Sequence, residues 1–283
     1  MNNKDRIITI IGGNGLMGQL FSNLWQSQNI AIQIIDQDNW SQAKEFISKS
    51  DAVIISVPIN LTVKIINDVA KHMQDNCILA DFTSIKVTPL IEMLKHHHGA
   101  VVGLHPMFGS TITTTKKQVI VKCDGRSPEK YQWLIDSLND LGFTIKTMSA
   151  EEHDLSMNFI QGIEHFLTFS LGTFLHNKNK HPNELLEVAS PIYLAKLLLM
   201  GRIFDQDPKL YADIIMADKS RINLIKEFAT WLNTWVDKLV LLNKQEFIEE
   251  FSKASQWMGE FTNYAQNISD NFLNIKIEET HVK

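Results

Sequence analysis

Short β-branched runs and helical patterns alternate through the first half of the chain. The runs that predict strands cover residues 7–11, 31–35, 52–57, 77–80 and 100–104, with weaker candidates at 118–122 and 143–146. The strands are almost continuously apolar, which is typical of a parallel sheet covered by helices on both faces. Polar residues such as Asp81 and His105 directly follow strands, at the edge where open α/β sheets bind their ligands.

The pattern changes near residue 149. From Ala150 onward, apolar residues recur at helical spacing, as at Phe159, Ile163 and Phe166, and no convincing strand follows. The length of 283 residues also suits about two domains of roughly 150 residues each. We therefore predict an α/β domain over residues 1–148 and an all-helical domain over residues 149–283.

Composition and charge argue against nucleic-acid-binding, membrane and disulfide-rich classes of protein. The chain has 27 basic and 32 acidic residues, a formal net charge of −5, and its basic residues are scattered, so no nucleic acid is expected as a partner. The apolar run before the first glycines is too short for a signal peptide, and no membrane-spanning run follows. Two cysteines, Cys77 and Cys123, are too few for a disulfide framework, which favours the cytoplasm.

A glycine motif follows the first predicted strand. Gly13, Gly15 and Gly18 match G-x-G-x-x-G between a strand and a helix, and Asp36 ends the next strand, where an acid binds the ribose. In a Rossmann-type fold the first glycine permits a tight turn, the second lets the backbone approach the pyrophosphate, and the third lets the helix pack closely against the strand. No arginine follows Asp36, so we predict NAD rather than NADP as the cofactor. The predicted cofactor-binding residues are Gly13, Asn14, Gly15, Leu16, Met17, Gly18, Asp36, Val57 and Pro58.

The three consecutive histidines His96, His97 and His98 do not predict a metal site. Successive residues of a helix point about 100° apart, so three in a row cannot converge on one ion. Zinc-ligand spacing and carboxylate clusters are also lacking in the sequence, and we expect no metal.

Longer motifs resemble the prephenate dehydrogenase family of tyrosine biosynthesis. They are DFTSIK at 81–86, GLHPMFG at 103–109, EHD at 152–154, SPIY at 190–193, MGR at 200–202 and DPKLYADIIM at 207–216. Their order is most similar to the dehydrogenase half of bifunctional chorismate mutase–prephenate dehydrogenases, over nearly the whole chain. The resemblance implies a Rossmann-type NAD-binding domain followed by an all-helical domain. It also implies the NAD-dependent oxidative decarboxylation of prephenate to 4-hydroxyphenylpyruvate.

The resemblance assigns catalytic roles as well. His105 matches the family's catalytic histidine, which assists removal of the proton of the C4 hydroxyl, a task that suits the pKa of imidazole. Ser84 matches a serine that contacts both this histidine and the hydroxyl, although a helix N-cap is an alternative role. His97 matches a histidine near the nicotinamide. His153 and Asp154 are expected to form a structural pair at the domain junction.

Four residues match substrate-binding positions of the family. Arg202 would hold a carboxylate of prephenate, because a planar guanidinium suits a carboxylate better than an ammonium does. His165 would lie near the pyruvyl side chain, Tyr211 would line the pocket, and Lys86 would steady the site electrostatically. Each has a plainer alternative: a salt bridge for Arg202, core packing for His165 and Tyr211, and a solvated helix position for Lys86.

The resemblance also implies partners. The helical domain of this family is the dimer interface, so we expect a homodimer. Apolar residues of that domain would form either the interface or the internal core; the candidates are Trp231, Trp235, Phe247 and Phe251. No mutase segment precedes Ile7, so we expect a monofunctional chain, with a separate chorismate mutase as a conceivable partner. Leu194 replaces a family arginine, which affects side-chain recognition.

Two alternative functions stay open. An arogenate dehydrogenase would use the same chemistry on a substrate with an amino group in place of the keto group. A non-catalytic dinucleotide-binding sensor would keep the glycine motif and Asp36 but would have no reason to retain His105, Ser84 and Arg202 together.

Overall fold

The structure is a computed structural model that describes residues 5–241 and 243–273. The chain divides into two compact units. The first unit contains the residues up to Gln161 together with Ala212–Ala217, and the second contains Gly162–Tyr211 and the residues from Asp218 onward. The helix Ala150–Met157 belongs to the first unit, so this division lies later in the chain than residues 148 and 149.

Seven strands form one sheet in the first unit, in the order β2-β1-β3-β4-β5-β6-β7. The strands are β1 (Ile7–Ile11), β2 (Ala31–Ile35), β3 (Ala52–Ile55), β4 (Ile78–Asp81), β5 (Val101–Pro106), β6 (Val119–Arg126) and β7 (Thr144–Thr147). Each coincides with one of the predicted runs. The chain moves from β1 to β2 on one side and then to β3 on the other, which creates the crevice where open α/β sheets bind ligands.

Helices cover both faces of this sheet. They are α1 (Leu16–Ser27), α2 (Ala43–Ser48), α3 (Ile59–Ala70), α4 (Val87–His96), α5 (Pro128–Asp140) and α6 (Ala150–Met157), with a 3₁₀ turn at Trp40–Gln42. One buried cluster joins the sheet to α1 and α5, and a second joins it to α2, α3, α4 and α6. The predicted layered α/β architecture is confirmed.

The sheet is not wholly parallel, which corrects one expectation. β5 and β6 pair antiparallel, so β6 and β7 run opposite to the other five strands. A parallel connection needs a crossover, usually a helix. The segment between Pro106 and Val119 contains no helix, so the chain reverses direction.

The remaining described chain is helical. A π-helical turn at Asn158–Ile163 leads into α7 (Glu164–Asn177), α8 (Pro182–Leu186), α9 (Pro191–Phe204), α10 (Pro208–Ile215), α11 (Lys219–Val240), α12 (Lys244–Met258) and α13 (Phe261–Leu273). No strand occurs between Thr147 and the end of the described chain, which confirms the predicted helical second half. None of the described helices is both long and apolar enough to cross a membrane.

Candidate active site

The loop between β1 and α1 depends on tightly packed glycines. Gly12 has a φ of +79°, and a Cβ there would lie 2.4 Å from the carbonyl oxygen of Ser56. A Cβ on Gly18 would lie 2.7 Å from the Cα of Gly13, and one on Gly13 would lie 2.7 Å from the Ile34 side chain. The tight turn predicted at Gly13 is therefore made by Gly12, which is not part of the G-x-G-x-x-G motif. Gly13 is needed instead because the Ile34 side chain packs closely against it.

Gly15 is less crowded than the other glycines of this loop. A Cβ there would meet only the carbonyl oxygen of Gly12, at 3.3 Å. Leu16 and Met17 follow in the first turn of α1, and no side chain caps that turn. The first N–H groups of a helix lack partners within the helix and carry partial positive charge. The open cradle and the uncapped N-terminus fit the diphosphate of a dinucleotide.

Asp36 lies directly after β2, beside this loop. Its carboxylate accepts hydrogen bonds from the backbone N–H of Asn14 at 3.2 Å and of Gln37 at 2.9 Å. Val57 packs against the other side of the loop, where a Cβ on Gly12 would lie 2.9 Å from it. Pro58 follows as the N-cap of α3. The structure thus brings the predicted cofactor-binding residues to one edge of the sheet.

His105 lies near the end of β5 and is 3% exposed. Its Nδ1 is 2.8 Å from Nε2 of His153, a fully buried residue of α6. The Nδ1 of His153 is in turn 2.7 Å from Oδ1 of Asp154. His153 and Asp154 are therefore more than the structural pair expected from the sequence, because they form a hydrogen-bonded chain that ends on the predicted catalytic histidine.

Asp154 also caps α4 from outside that helix. Its Oδ1 accepts from the backbone N–H of Lys86 at 2.7 Å, and its Oδ2 accepts from that of Val87 at 3.0 Å. Burial raises the pKa of Asp154, but the hydrogen bonds from His153, Val87 and Lys86 outweigh it and hold the pKa below its usual value. The carboxylate is therefore ionised at neutral pH.

Ser84 lies half-buried in the loop between β4 and α4. The alternative role as N-cap is wrong, because α4 begins at Val87, its N-cap residue is Lys86, and the carboxylate of Asp154 accepts the hydrogen bond of Val87 N–H. The Ser84 hydroxyl makes no hydrogen bond within residues 5–241 and 243–273. Its contact with His105 and substrate stays a prediction.

Lys86 forms a fully buried ion pair with Asp81. Its Nζ also donates to the carbonyl oxygen of Leu104 at 2.8 Å. Gly103 leaves room for this, since a Cβ there would lie 3.1 Å from Cδ of Lys86. The solvated helix position is therefore wrong for Lys86. The electrostatic role stays a prediction. The buried Nζ of Lys86 connects Asp81 of β4 to Leu104 of β5, the strand that carries His105.

The π-helical turn after α6 brings a further polar residue to His105. The side-chain nitrogen of Gln161 lies 3.5 Å from Nε2 of His105. Its Oε1 is buried and has no hydrogen-bond partner in the described part of the chain. Such turns are frequent at functional sites. Sequence reasoning missed Gln161, because helical periodicity does not reveal a π-turn.

In the second unit, His165 of α7 contacts Tyr211 edge to face, with ring centroids 5.0 Å apart. Burial lowers the pKa of His165 and the nearby Arg221 lowers it further, so the imidazole is neutral at neutral pH. Burial raises the pKa of Tyr211, while the charge of Arg202 opposes that shift. Arg202 is exposed on α9. Three predicted substrate-binding residues therefore lie near one another.

His97 does not belong to this site. Its Nε2 is 2.8 Å from the carbonyl oxygen of Cys77, which precedes β4. His97 thus lies at the amino-terminal edge of the sheet, whereas the glycine loop and His105 lie at the carboxyl-terminal edge, so the expected position near the nicotinamide is wrong. No group of three metal-binding side chains occurs among the residues that the structure describes.

Sequence models of one family match both parts of the chain. The model described as the nucleotide-binding domain of prephenate dehydrogenase matches residues 16–122. The model described as the dimerization domain of prephenate dehydrogenase matches residues 149–259.

Individual relatives agree with these matches. The T-protein of Enterobacter agglomerans is 42% identical over 255 residues, which cover 90% of this chain and 68% of that protein. The T-protein of Haemophilus influenzae is 40% identical over 265 residues, 93% of this chain and 70% of that protein. A crystal structure of prephenate dehydrogenase from A. aeolicus, in complex with hydroxyphenyl propionate and NAD⁺, shares the fold. It has a TM-score of 0.69 at 17% identity and covers 90% of this chain and 98% of that one. The chain therefore belongs to the prephenate dehydrogenase family.

Proposed function

We propose that the protein catalyses the NAD-dependent oxidative decarboxylation of prephenate to 4-hydroxyphenylpyruvate. The observation that carries this proposal is the environment of His105, a buried imidazole at a strand end whose Nδ1 is engaged by His153. We propose that Nε2, the other ring nitrogen, which lies 3.5 Å from the side-chain nitrogen of Gln161, receives the substrate proton. Family membership supplies the reaction class, since a nucleotide-binding loop alone names only a cofactor.

NAD, when bound, supplies the hydride acceptor. Gly15 and the first turn of α1 would hold its diphosphate, and the carboxylate of Asp36 would accept hydrogen bonds from the ribose hydroxyls. The same carboxylate would repel the additional phosphate of NADP, which supports NAD as the cofactor.

His105 accepts the hydrogen bond of the C4 hydroxyl at Nε2 and assists removal of its proton while the hydride leaves C4. Departure of the ring carboxylate as CO₂ makes the ring aromatic, and the oxygen at C4 becomes phenolic. Because aromatisation drives the reaction, the protein mainly positions the substrate and assists removal of the C4 hydroxyl proton. General base assistance of this kind contributes roughly 10²–10⁴-fold to the rate.

The substrate is a dianion, and the residues proposed to bind it belong to the helical unit. Arg202 would hold a carboxylate through its planar guanidinium. Neutral His165, in contact with Tyr211, would donate to the pyruvyl side chain without adding charge. Ser84 would contact the C4 hydroxyl together with His105.

The substitution His105→Asn tests the proposal. We expect turnover of prephenate to fall by roughly 10²–10⁴-fold, while the Kd for NAD stays unchanged. His98→Asn is the matched control, because His98 is exposed and outside the site, and it should keep full activity. Full turnover by His105→Asn would remove His105 as the base.

We also propose that the helical unit forms the interface of a homodimer. Large apolar side chains lie at its surface: Trp231 is 53%, Phe251 is 68% and Trp257 is 84% exposed. Soluble monomers rarely expose large apolar patches. Exposure of Trp231 and Phe251 supports an interface role over an internal core, and the family model for this region is described as a dimerization domain.

We propose the cytoplasm as the compartment. Cys77 and Cys123 are both free and buried. Burial raises the pKa of each thiol to about 12, so both stay protonated and unreactive at neutral pH. A chain with unpaired thiols and no disulfide suits a reducing compartment.

A further inference from the structure

We propose that Asp154, acting through His153, fixes His105 in the tautomer that carries hydrogen on Nδ1 and leaves a lone pair on Nε2. The inference rests on the proposed function, in which Nε2 receives the substrate proton. Neither residue would touch substrate, so both are positioning residues.

Asp154 forms one end of this hydrogen-bonded chain. Its carboxylate is surrounded by three donors: the backbone N–H groups of Lys86 at 2.7 Å and Val87 at 3.0 Å, and Nδ1 of His153 at 2.7 Å. An ionised carboxylate can only accept hydrogen bonds. The hydrogen between Asp154 and His153 must therefore sit on Nδ1 of His153.

The next link follows from the chemistry of imidazole. A neutral imidazole with hydrogen on one nitrogen has only a lone pair on the other. When the ring of His153 carries its one hydrogen on Nδ1, its Nε2 accepts, and Nδ1 of His105, at 2.8 Å, donates. The lone pair of His105 is then on Nε2. The side-chain nitrogen of Gln161 lies 3.5 Å from this atom, so a donor faces the predicted acceptor.

The hydrogen-bonded residues Asp154, His153 and His105 are held in place by α4, α6 and β5. Ser149 and Glu152 form a reciprocal capping box that begins α6 and so fixes the turn carrying His153 and Asp154. Asp154 caps α4, and His105 belongs to β5. Fixing a side chain by hydrogen bonds of this kind is how a neighbouring residue sets which imidazole nitrogen is protonated.

The same arrangement stabilises His105 once it is protonated. The charge of Asp154 then lies two hydrogen bonds from the imidazolium. The other charged groups nearby in the first unit, Lys86 and Asp81, pair with each other. Cys123 keeps its proton because burial raises its pKa to about 12. Asp154 thus supplies a negative charge that is linked to His105 through His153.

The tautomer can be measured without turnover. Two-bond ¹H–¹⁵N correlation spectra of the full chain, labelled with ¹⁵N-histidine and recorded at pH 8, distinguish the two tautomers. The His105 signals are assigned by their loss in His105→Asn. We expect a protonated Nδ1 and a bare Nε2 on His105. Hydrogen on Nε2 of His105 in the unmodified chain would overturn the inference.

Two substitutions at His153 separate hydrogen bonding from packing. His153→Phe keeps a ring of similar volume but offers no acceptor, so His105 should shift toward the tautomer with hydrogen on Nε2. We expect kcat to fall by about 10- to 100-fold, with KM for prephenate changed less than about twofold. His153→Gln places an amide oxygen near the former Nε2, and it should restore the tautomer and part of kcat.

His97→Phe is the matched control, since His97 is another buried histidine of the same unit, hydrogen-bonded to a backbone carbonyl. It should leave both the tautomer of His105 and kcat unchanged. An unchanged tautomer and kcat in His153→Phe would overturn the inference and reduce His153 to a packing residue. Absence of prephenate turnover by the unmodified chain would overturn the proposed function instead, while the spectrum still decides the tautomer.

Discussion

Asp36 shows how much chemistry one residue contributes to cofactor choice. Its carboxylate lies beside the backbone of Asn14, directly after β2, where we propose that the ribose of the cofactor binds. An acidic residue at this position favours NAD, whose ribose carries two hydroxyls, over NADP, whose ribose carries a phosphate.

Asp36→Asn should therefore weaken NAD binding by about tenfold, which corresponds to about 1.4 kcal/mol, and should strengthen NADP binding. Kd values for both cofactors, measured by calorimetry, check this. Asp38→Asn removes an exposed carboxylate from the same loop and should change neither value. A native protein that already prefers NADP would contradict the account of Asp36.

Single residues also show where sequence reasoning stops. His105, the glycines and Asp36 are recognisable because their chemistry follows strands at known places. The contact between His105 and His153 joins residues 48 positions apart, and no local pattern encodes it. Ser84 was open to a capping role for the same reason, because the cap that α4 uses comes from Asp154, a residue of a distant helix.

At the scale of elements, the glycines of the β1–α1 loop differ in how tightly they are packed. Gly18 packs α1 onto the strand end, where a Cβ would lie 2.7 Å from Gly13. A Cβ on Gly15 would meet only one atom, the carbonyl oxygen of Gly12 at 3.3 Å. The two positions should therefore respond differently to the same added methyl group.

Gly15→Ala should keep a normal Tm but raise the Kd for NAD by at least about tenfold, because the methyl group enters the diphosphate cradle. Gly18→Ala should lower Tm by several degrees, because the added methyl group would clash with backbone atoms, which cannot move aside as a flexible side chain can. Thermal unfolding and cofactor titration of both variants test this. Equal effects of the two substitutions on Tm would contradict the distinction.

Lys86 joins the ends of β4 and β5, because it forms a buried ion pair with Asp81 of β4 and donates a hydrogen bond to the carbonyl oxygen of Leu104 in β5. Lys86→Met leaves the Asp81 carboxylate buried without its partner and should cost about 3–5 kcal/mol in the free energy of unfolding. Adding Asp81→Asn removes that charge and should recover part of the loss. Urea denaturation gives these values. Lys49→Met, which breaks the exposed pair with Glu45, is the control and should cost less than about 1 kcal/mol.

Most elements are predictable because their signals are local. Short apolar runs predict the first five strands and, more weakly, the last two, and helical spacing predicts the second half of the chain. Two features have no such local signal. The reversal of chain direction between β5 and β6 depends on how the helix-free segment between them folds, and the π-turn at Asn158–Ile163 departs from the ordinary helical period. The Ser149–Glu152 capping box was a usable signal for the start of α6 that sequence reasoning did not exploit.

At the scale of the whole molecule, family membership and exposed apolar surface support the same assembly. Both domains of the family are matched along the chain, in the order that the hydrophobic pattern predicts. The sequence could predict a helical domain and its apolar residues. It could not separate interface from core, because both show the same helical periodicity.

Phe251→Glu should convert the proposed dimer to a monomer, because a carboxylate would be buried at the interface without a partner. Light scattering coupled to size exclusion gives the mass. Ile91→Glu, at a residue that is also exposed but lies on α4 of the first unit, should leave the dimer intact. A native chain that is monomeric at micromolar concentration would contradict the proposed interface.

The central claim is the reaction itself, and its most direct test is the formation of reduced cofactor at 340 nm. The purified chain would be supplied with prephenate or arogenate, each with NAD⁺ or NADP⁺. The account predicts turnover with prephenate and NAD⁺. Turnover with arogenate alone would keep the mechanism and contradict the substrate. Absence of turnover in all four mixtures, from folded protein that binds NAD⁺, would contradict the enzyme assignment and favour a dinucleotide-binding sensor.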